Sequence, residues 1–214
     1  MKIGIIGSGQ VGQTLAKAFK SEGNEVMLGT RNTLKEEVVK FKNENDKIKI
    51  GTFEQTASYG EIIVLAVAGA AASEAVKLGG INNFDNKIVI DTTNPIANEP
   101  PVNGVLKFFT DLNESLMERI QNLIANAKVV KAFNSVGNTL MYKPSLKEKP
   151  TMFICGNDDE ARKTVSKILE NFGWEVADMG KAEAARAIEP LSILWCIRGF
   201  INNKWNHAFK LLKD

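Results

Sequence analysis

The chain has 214 residues, a formal net charge of +2 and an apolar content of 44%, all ordinary values for a globular protein. Its lysines are spread among glutamates and form no basic stripe, which excludes nucleic acid as an expected partner. Cys155 and Cys196 lie outside any C-x-x-C pair, which indicates neither a disulfide framework nor a metal site, and the longest apolar run, 62–72, is too short to cross a bilayer.

The chain begins with an apolar strand, Lys2 to Ile6, and not with the apolar region of a signal peptide, so we expect a cytoplasmic protein with no membrane partner. The strand leads into Gly7-Ser8-Gly9-Gln10-Val11-Gly12, a G-x-G-x-x-G motif. A helical pattern through Phe19 and a second apolar run, Val26 to Gly29, complete a βαβ unit. In such a unit the first glycine makes a tight turn, Gly9 lets the backbone approach a pyrophosphate, and Gly12 lets helix and strand pack closely. The motif therefore predicts a dinucleotide site.

The end of the second strand indicates which dinucleotide. An enzyme that prefers NAD usually carries an acid here for the ribose 2′-hydroxyl, whereas Arg suits the 2′-phosphate of NADP. This chain has Thr30-Arg31-Asn32, with Lys35 one turn further. Arg31 can bind phosphate through two parallel hydrogen bonds, and the Thr30 hydroxyl can donate a third. The pattern favours NADP over NAD.

Apolar runs alternate with helical patterns along most of the chain, which predicts a doubly wound α/β fold of the Rossmann type. The predicted elements after the second strand are a helix through Leu34 and Phe41, a strand near 48–50, a strand at 61–67, a helix over about 70–78, a strand at 87–91, a helix over 112–127 and a strand at 129–133. These six strands form the dinucleotide-binding core, residues 1–134, in the expected order 3-2-1-4-5-6.

Two further strands flank one helix within residues 151–179 and are expected to extend the same parallel sheet to about eight strands. Residues 181–214 are predicted to be helical, with Pro190 at a boundary or kink. No linker or repeat divides the chain, so we expect a single domain.

Ligands of a doubly wound sheet lie outside the carboxyl ends of its strands. Besides the glycine-rich turn, three strand ends carry suitable residues, namely 66–69, 92–95 and 134–138. The first is small and apolar, as a flat nicotinamide requires. The others offer amides and hydroxyls for a carboxamide or carbonyl, although Asn-Pro and Gly-Asn pairs also form ordinary turns.

General acids and bases are scarce. The single histidine, His207, lies near the carboxyl terminus and is expected to be packed or at the surface, while Arg186 and Glu189 have the spacing of a solvated helix pair. No residue is assigned as catalytic. Hydride transfer between a nicotinamide and a flavin-like acceptor mainly requires stacked rings, so this scarcity favours such a reaction over ketone reduction.

The glycine-rich turn, Gly29-Thr30-Arg31, the segments 91–95 and 129–134, Ile154-Cys155-Gly156-Asn157 and Asp178-Met179-Gly180 resemble the NADP oxidoreductases that depend on coenzyme F420. They are also similar to the cytosolic reductase domain of the STEAP metalloreductases. The resemblance covers essentially the full length. It departs from the archaeal F420 enzymes at Asn134, where they have histidine, and at Ala68-Gly69, where they have Pro-Trp; there the chain is more similar to the metalloreductase domains, which use ordinary flavin.

The resemblance implies a homodimer that binds NADP(H) and takes a flavin or coenzyme F420 as co-substrate. It implies three groups of cofactor-binding residues: Ser8, Gly9, Gln10 and Val11 at the phosphates; Thr30, Arg31 and Lys35 at the 2′-phosphate; and Ala66, Val67, Ala68, Val136 and Asn138 around the nicotinamide. The glycines Gly7 and Gly12 complete the turn, and Asn94, Pro95 and Asn134 complete the nicotinamide end.

Two other functions fit the sequence. An imine or ketone reductase of the pyrroline-5-carboxylate reductase type would share the fold but ordinarily has a long helical substrate domain. A non-enzymatic NADP(H) sensor would use the same site, because a Rossmann fold predicts binding and not chemistry.

Overall fold

The computed structural model describes residues 1–212. Its centre is an eight-stranded sheet in the order β3-β2-β1-β4-β5-β6-β7-β8, so the predicted fold class and strand order are confirmed. The strands are β1 (Lys2–Ile6), β2 (Glu25–Gly29), β3 (Lys49–Gly51), β4 (Ile62–Leu65), β5 (Ile88–Asp91), β6 (Lys128–Lys131), β7 (Thr151–Gly156) and β8 (Glu175–Asp178).

The sheet is parallel except at one junction. Strands β1 to β6 are parallel, but β7 is antiparallel to β6, with Lys131 opposite Cys155, and β8 is parallel to β7. The expected continuation as a parallel sheet is therefore wrong at this junction. A parallel connection needs a crossover, usually a helix, and the segment between β6 and β7 contains only a short 3-10 turn, Asn138–Leu140.

Helices cover both faces of the sheet. They are α1 (Gln10–Ser21), α2 (Glu36–Glu44), α3 (Phe53–Tyr59), α4 (Ala72–Gly79), α5 (Leu116–Leu123), α6 (Asp159–Asn171), α7 (Ala185–Ile188) and α8 (Leu191–Asn202). Within residues 1–212, no helix has the length and apolar character needed to cross a membrane.

Two helical segments within the first 180 residues differ from the sequence prediction. Helix α3 was not predicted, although Thr52 and Gln55 form a capping box at its start. Helix α5 is shorter than expected, because Ser115 caps its first turn. In the carboxyl-terminal part, Pro190 separates α7 from α8 as predicted.

Beyond α8 the prediction of helix is wrong for residues 203–212, and 213–214 lie outside the described residues. Asn203 adopts a left-handed conformation with φ of 49°, which ends the helix. The following segment folds back on β7, where the Thr151 N–H donates to the Phe209 carbonyl at 2.9 Å.

Apolar residues on the strands alternate between two buried clusters. Ile3 and Ile5 of β1 belong to one cluster, whereas Ile6 belongs to the other. Because successive side chains of a strand point to opposite faces, the clusters lie on the two faces of the sheet. Trp174 joins the first cluster and Ala185 the second, so the residues after β6 help to bury both faces.

Candidate functional site

The turn between β1 and α1 accepts only glycine at two positions. Gly7 has φ of +123°, and a Cβ there would overlap the Ala66 carbonyl oxygen of the β4 end. A Cβ at Gly12 would overlap the Gly7 carbonyl oxygen. At Gly9, by contrast, an added Cβ would meet nothing within 4 Å. Gly9 therefore lies at open space, as the predicted approach to a pyrophosphate requires.

The amino terminus of α1 is suited to an anion. Gly9 is its N-cap and supplies no side chain to accept from the first free N–H groups, and the first turn contains no acidic residue. The backbone N–H groups of Gln10 and Val11 and the positive end of the helix dipole point toward the space beside Gly9. The residues present thus fit a dinucleotide pyrophosphate.

The end of β2 lies directly beside this turn. The Ser8 hydroxyl donates to the Thr30 Oγ1 at 3.1 Å, and Thr30 is only 4% exposed. Arg31 is exposed, and Lys35 forms an ion pair of 2.5 Å with Glu37. The two cations next to Thr30 are therefore at the surface, where a phosphate has access to them.

A cavity of about 630 Å³ joins these parts. Nine of the predicted residues line it, namely Gly7, Ser8, Gly9, Thr30, Arg31, Lys35, Ala66, Val67 and Ala68. Seven other lining residues were not predicted as site residues: Asn32, Glu37, Phe53, Ala71, Glu74, Ala75 and Leu78. Most of these seven belong to α2, α3 and α4 or to the turn before α4. The capping box of α3 was the sequence signal that could have placed Phe53 here.

The remaining predicted residues fall into two groups outside the lining of the cavity. Gln10, Val11 and Gly12 form the first turn of α1. Asn94, Pro95, Asn134, Val136 and Asn138 follow the carboxyl ends of β5 and β6. The Asn138 amide donates to Thr14 Oγ1 of α1 at 3.4 Å, which brings the second group to the side of the helix that carries the anion site.

Asn94 and Asn134 are joined directly. The Asn94 amide donates to the Asn134 carbonyl at 2.7 Å, and the Asn134 amide donates to Asn94 Oδ1 at 3.1 Å and to the Ile188 carbonyl at 3.0 Å. A Cβ at Gly69 would overlap the Asn94 carbonyl oxygen. The loops that follow β4, β5 and β6 therefore meet, as their place at one edge of the sheet predicted.

A group of buried charged side chains lies next to this pair of asparagines. It consists of Asp91, Lys131 and Glu189, and we call it the buried ion cluster. The Lys131 Nζ lies 2.7 Å from Asp91 Oδ2 and 2.8 Å from Glu189 Oε1, and none of the three side chains is more than 2% exposed. Glu189 is therefore not part of a solvated pair with Arg186, contrary to the prediction. Arg186 instead pairs with Glu118 at 2.6 Å.

Two pKa shifts describe the chemistry of this interior. Burial opposes the charged form of Lys131, but the attraction of Asp91 and Glu189 outweighs it and raises the pKa of the ammonium group. Burial raises the pKa of the Cys155 thiol to about 12. Lys131 thus stays protonated, and Cys155 is no nucleophile at neutral pH.

His207 is packed, as predicted. Its ring stacks on Trp195 with centroids 5.1 Å apart, and its Nε2 lies 3.0 Å from the Trp195 carbonyl oxygen. Trp195 in turn lies against Gly137, where an added Cβ would come within 2.8 Å of the ring. The aromatic residues of the carboxyl-terminal part therefore border the segment that carries Val136 and Asn138.

Comparisons with known proteins agree with this geometry. Residues 2–95 match the family model described as NADP oxidoreductase, coenzyme F420-dependent. Over its whole length the chain superposes on a crystal structure from Arthrobacter sp. FB24, provisionally named an F420-dependent NADP-reductase, with a TM-score of 0.92, 29% identity and 100% coverage of both chains.

Two curated relatives are similar over most of the chain. The F420-dependent NADP reductase of Methanocaldococcus jannaschii is 26% identical over 91% of this chain and 90% of its own length. Metalloreductase STEAP3 of Rattus norvegicus is 29% identical over 90% of this chain, which spans 37% of that relative's length. The chain is thus similar to the coenzyme F420-dependent NADP oxidoreductases, and its first 95 residues match their family model from residue 2 onward, as its motifs predicted.

Proposed function

We propose that the protein binds NADPH along the carboxyl edge of its sheet and transfers hydride between this cofactor and a flavin or a deazaflavin such as F420. The single observation that carries the proposal is the continuous cavity that joins the uncapped start of α1 to Arg31. Anion-binding N–H groups at one end and a guanidinium at the other match the pyrophosphate and 2′-phosphate of NADPH.

The residues would divide the cofactor between them. Ser8, Gly9, Gln10 and Val11 would bind the pyrophosphate, and Thr30, Arg31 and Lys35 the 2′-phosphate. Ala66, Val67 and Ala68 would lie against the nicotinamide, whose carboxamide would reach the segments of Asn94-Pro95 and of Asn134, Val136 and Asn138. When bound, NADPH supplies the hydride.

The buried ion cluster favours a flavin-type acceptor over a ketone or an imine. Reduction of a carbonyl or imine ordinarily needs a proton donor at the site. The ionisable groups beneath Asn94 and Asn134 are Asp91, Lys131 and Glu189, and each is held in an ion pair. A flavin or deazaflavin instead needs its ring stacked on the nicotinamide, which the apolar end of β4 permits.

Turnover tests this proposal. The purified protein is mixed with NADPH and, separately, with FMN, FAD, coenzyme F420, a ferric chelate or a cyclic imine, and the loss of reduced-nicotinamide absorbance is followed. Saturable oxidation of NADPH with a flavin or with F420 is the expected result. Turnover with the imine alone, or tight NADPH binding with no turnover at all, would overturn the proposal and favour the reductase or sensor alternatives.

We also propose that the protein acts as a homodimer, as its resemblance to the family implied. Five apolar side chains that are at least 46% exposed lie on α8 and on the loop before α5: Val102, Val105, Leu194, Phe200 and Ile201. The loop touches the helix, since a Cβ at Gly104 would come within 2.9 Å of Ile201. An exposed apolar patch of this kind is typical of an interface.

Sedimentation velocity tests the dimer. The double variant Phe200→Glu, Ile201→Glu is expected to shift the protein to monomer, because it buries charge in the interface. The matched control is Val39→Glu on α2, which is 42% exposed and lies on another helix. A wild-type protein that sediments as a monomer at all concentrations would disprove the dimer.

A further inference from the structure

We propose that Lys131 is a positioning residue for the nicotinamide end of the site. The inference rests on the proposed function, because it assumes that NADPH occupies this edge of the sheet. Lys131 is fully buried and touches no open space. It acts on Asn94 and Asn134 indirectly, through its contacts with Thr93 and Glu189.

The Lys131 ammonium group has three close oxygen partners. It donates to the Thr93 carbonyl at 2.8 Å and forms ion pairs with Asp91 Oδ2 at 2.7 Å and with Glu189 Oε1 at 2.8 Å. An ammonium group has three donors and no acceptor, so this environment is complete. A buried charge with all its partners present holds its neighbours in one arrangement, because any other leaves a charge unpaired.

The first connection runs to Asn94. Thr93 precedes Asn94 and is held by Lys131 at its carbonyl and by Asp91 Oδ1 at its N–H and hydroxyl, at 2.9 and 2.7 Å. The peptide between Thr93 and Asn94 is therefore fixed on the side that Lys131 occupies. The direction of the Asn94 amide follows from it.

The second connection runs to Asn134. Glu189 follows Ile188, whose carbonyl accepts the Asn134 amide at 3.0 Å. On the other side of Asn134, Phe133 is buried with φ of +63°. A bulky residue in this conformation is strained and persists only when its surroundings fix it. The strained turn directs the Asn134 side chain toward Asn94 and Ile188.

Glu189 also ties the cluster to α5. Its two carboxylate oxygens accept from the N–H groups of Leu116 and Met117, each at 3.0 Å. The cluster holds two carboxylates and one ammonium, and the positive end of the α5 dipole faces the extra negative charge. The buried ion cluster thus connects β5 and β6 with the start of α5 and the end of α7. Asn94 follows Thr93, which contacts this cluster, and Asn134 binds the carbonyl of Ile188, which precedes Glu189.

The experiment distinguishes binding of the nicotinamide end of the cofactor from binding of its phosphate end. Dissociation constants are measured at neutral pH for NADPH and for adenosine 2′,5′-bisphosphate, which lacks the nicotinamide. Wild-type protein is expected to bind NADPH more tightly. The Lys131→Met variant is expected to lose about tenfold of its NADPH affinity, the value of one or two misplaced hydrogen bonds, while its affinity for the bisphosphate stays unchanged.

Three further variants make the result specific. Lys131→Arg keeps the charge and is expected to recover part of the lost NADPH affinity. Glu189→Gln keeps the shape of the side chain and carries the same test if Lys131→Met does not fold. Leu169→Ala in α6 removes buried side-chain volume elsewhere and is expected to lower Tm without changing the affinity ratio.

The outcomes distinguish this proposal from the one before it. If wild-type protein prefers NADPH over the bisphosphate and Lys131→Met keeps that preference at a lower Tm, Lys131 is merely structural and the inference is wrong. If wild-type protein does not bind NADPH, both the proposed function and this inference fail.

Discussion

Ser8 and Thr30 share a hydrogen bond of 3.1 Å between their hydroxyl oxygens, which couples the glycine-rich turn to the end of β2. The Thr30 hydroxyl also accepts from the Asn32 N–H at 3.3 Å. The turn that would bind the pyrophosphate and the loop that would bind the 2′-phosphate are therefore one connected structure. Substitutions in either part are therefore expected to change the affinity for the whole nucleotide.

Arg31→Asp is expected to weaken NADPH binding by about 1 to 3 kcal/mol, the value of a charge-assisted hydrogen bond or more. NADH lacks the 2′-phosphate, so its affinity should not fall. Calorimetric titration of both nucleotides measures the difference. Lys17→Asp, which makes the same change of charge on the exposed face of α1, is the control. Equal NADPH affinity in Arg31→Asp and wild type would contradict the assignment of the β2 end.

Glu37→Gln is expected to tighten NADPH binding by about two- to fivefold, in the range of one exposed ion pair. Glu37 lines the cavity and pairs with Lys35, so its removal frees a cation and deletes a negative charge beside the phosphate. The gain should shrink as salt is added. Glu36→Gln in the same turn of α2 does not line the cavity and should change the affinity little; equal gains in both variants would point to net charge alone.

Alanine at Gly9 should lower the affinity for NADPH, whereas alanine at Gly12 should lower the stability of the fold. Gly9→Ala places a methyl group in open space, so thermal stability should be unchanged while NADPH affinity falls by about tenfold or more, equivalent to about 1.4 kcal/mol. Gly12→Ala overlaps the Gly7 carbonyl and should lower the free energy of unfolding by roughly 1 to 3 kcal/mol. Differential scanning calorimetry and titration distinguish the two, and tight binding by Gly9→Ala would show that the pyrophosphate does not lie there.

Acid should remove the contribution of Glu118 to stability. The hydrogen bond from Arg186 and, to a smaller extent, the hydrogen bonds from Ser115 lower the pKa of the Glu118 carboxyl below its ordinary value of 4.5. Because the folded-state pKa is the lower one, the contribution is complete above pH 4.5 and is lost as the pH falls through the folded-state value. Glu118→Ala should cost about 1 kcal/mol at neutral pH, as for loss of a helix cap.

Urea unfolding of Glu118→Ala and wild type across this pH range checks the prediction. The difference between the two proteins should disappear in acid, whereas a constant difference would mean that packing of the side chain, and not its charge, is responsible. Glu160→Ala, an exposed residue at the start of α6, serves as the control for loss of one surface carboxylate.

The sheet could be predicted because each strand is a continuous apolar run, as in parallel strands buried on both faces. The first 134 residues repeat this pattern six times, so their order followed from the common winding. The direction of β7 depends on the path of the chain through 132–150, which no local pattern indicates. Helix α3 was not predicted because its seven residues are too few for a helical period of apolar side chains to be recognised.

The residues of the proposed phosphate end could be expected to lie together because segments 7–12 and 30–35 belong to one βαβ unit, and residues of both segments line the cavity. The buried ion cluster could not, since Lys131 ends an apolar strand and Glu189 has the helical spacing of a surface pair with Arg186. Only the packing of α7 against α5 and β7 makes Glu189 a buried partner of Lys131. Charges that pair across a fold carry no local signal, and most lysines and glutamates are exposed.

Glu189 reaches the Leu116 N–H across 73 residues of sequence, which has a consequence for synthesis on the ribosome. The chain is released from its amino terminus, so the glycine-rich turn and Arg31 emerge early. Glu189, the second carboxylate that pairs with Lys131, is synthesised much later. The residues of the proposed phosphate end are therefore all synthesised before the last partner of the proposed nicotinamide end.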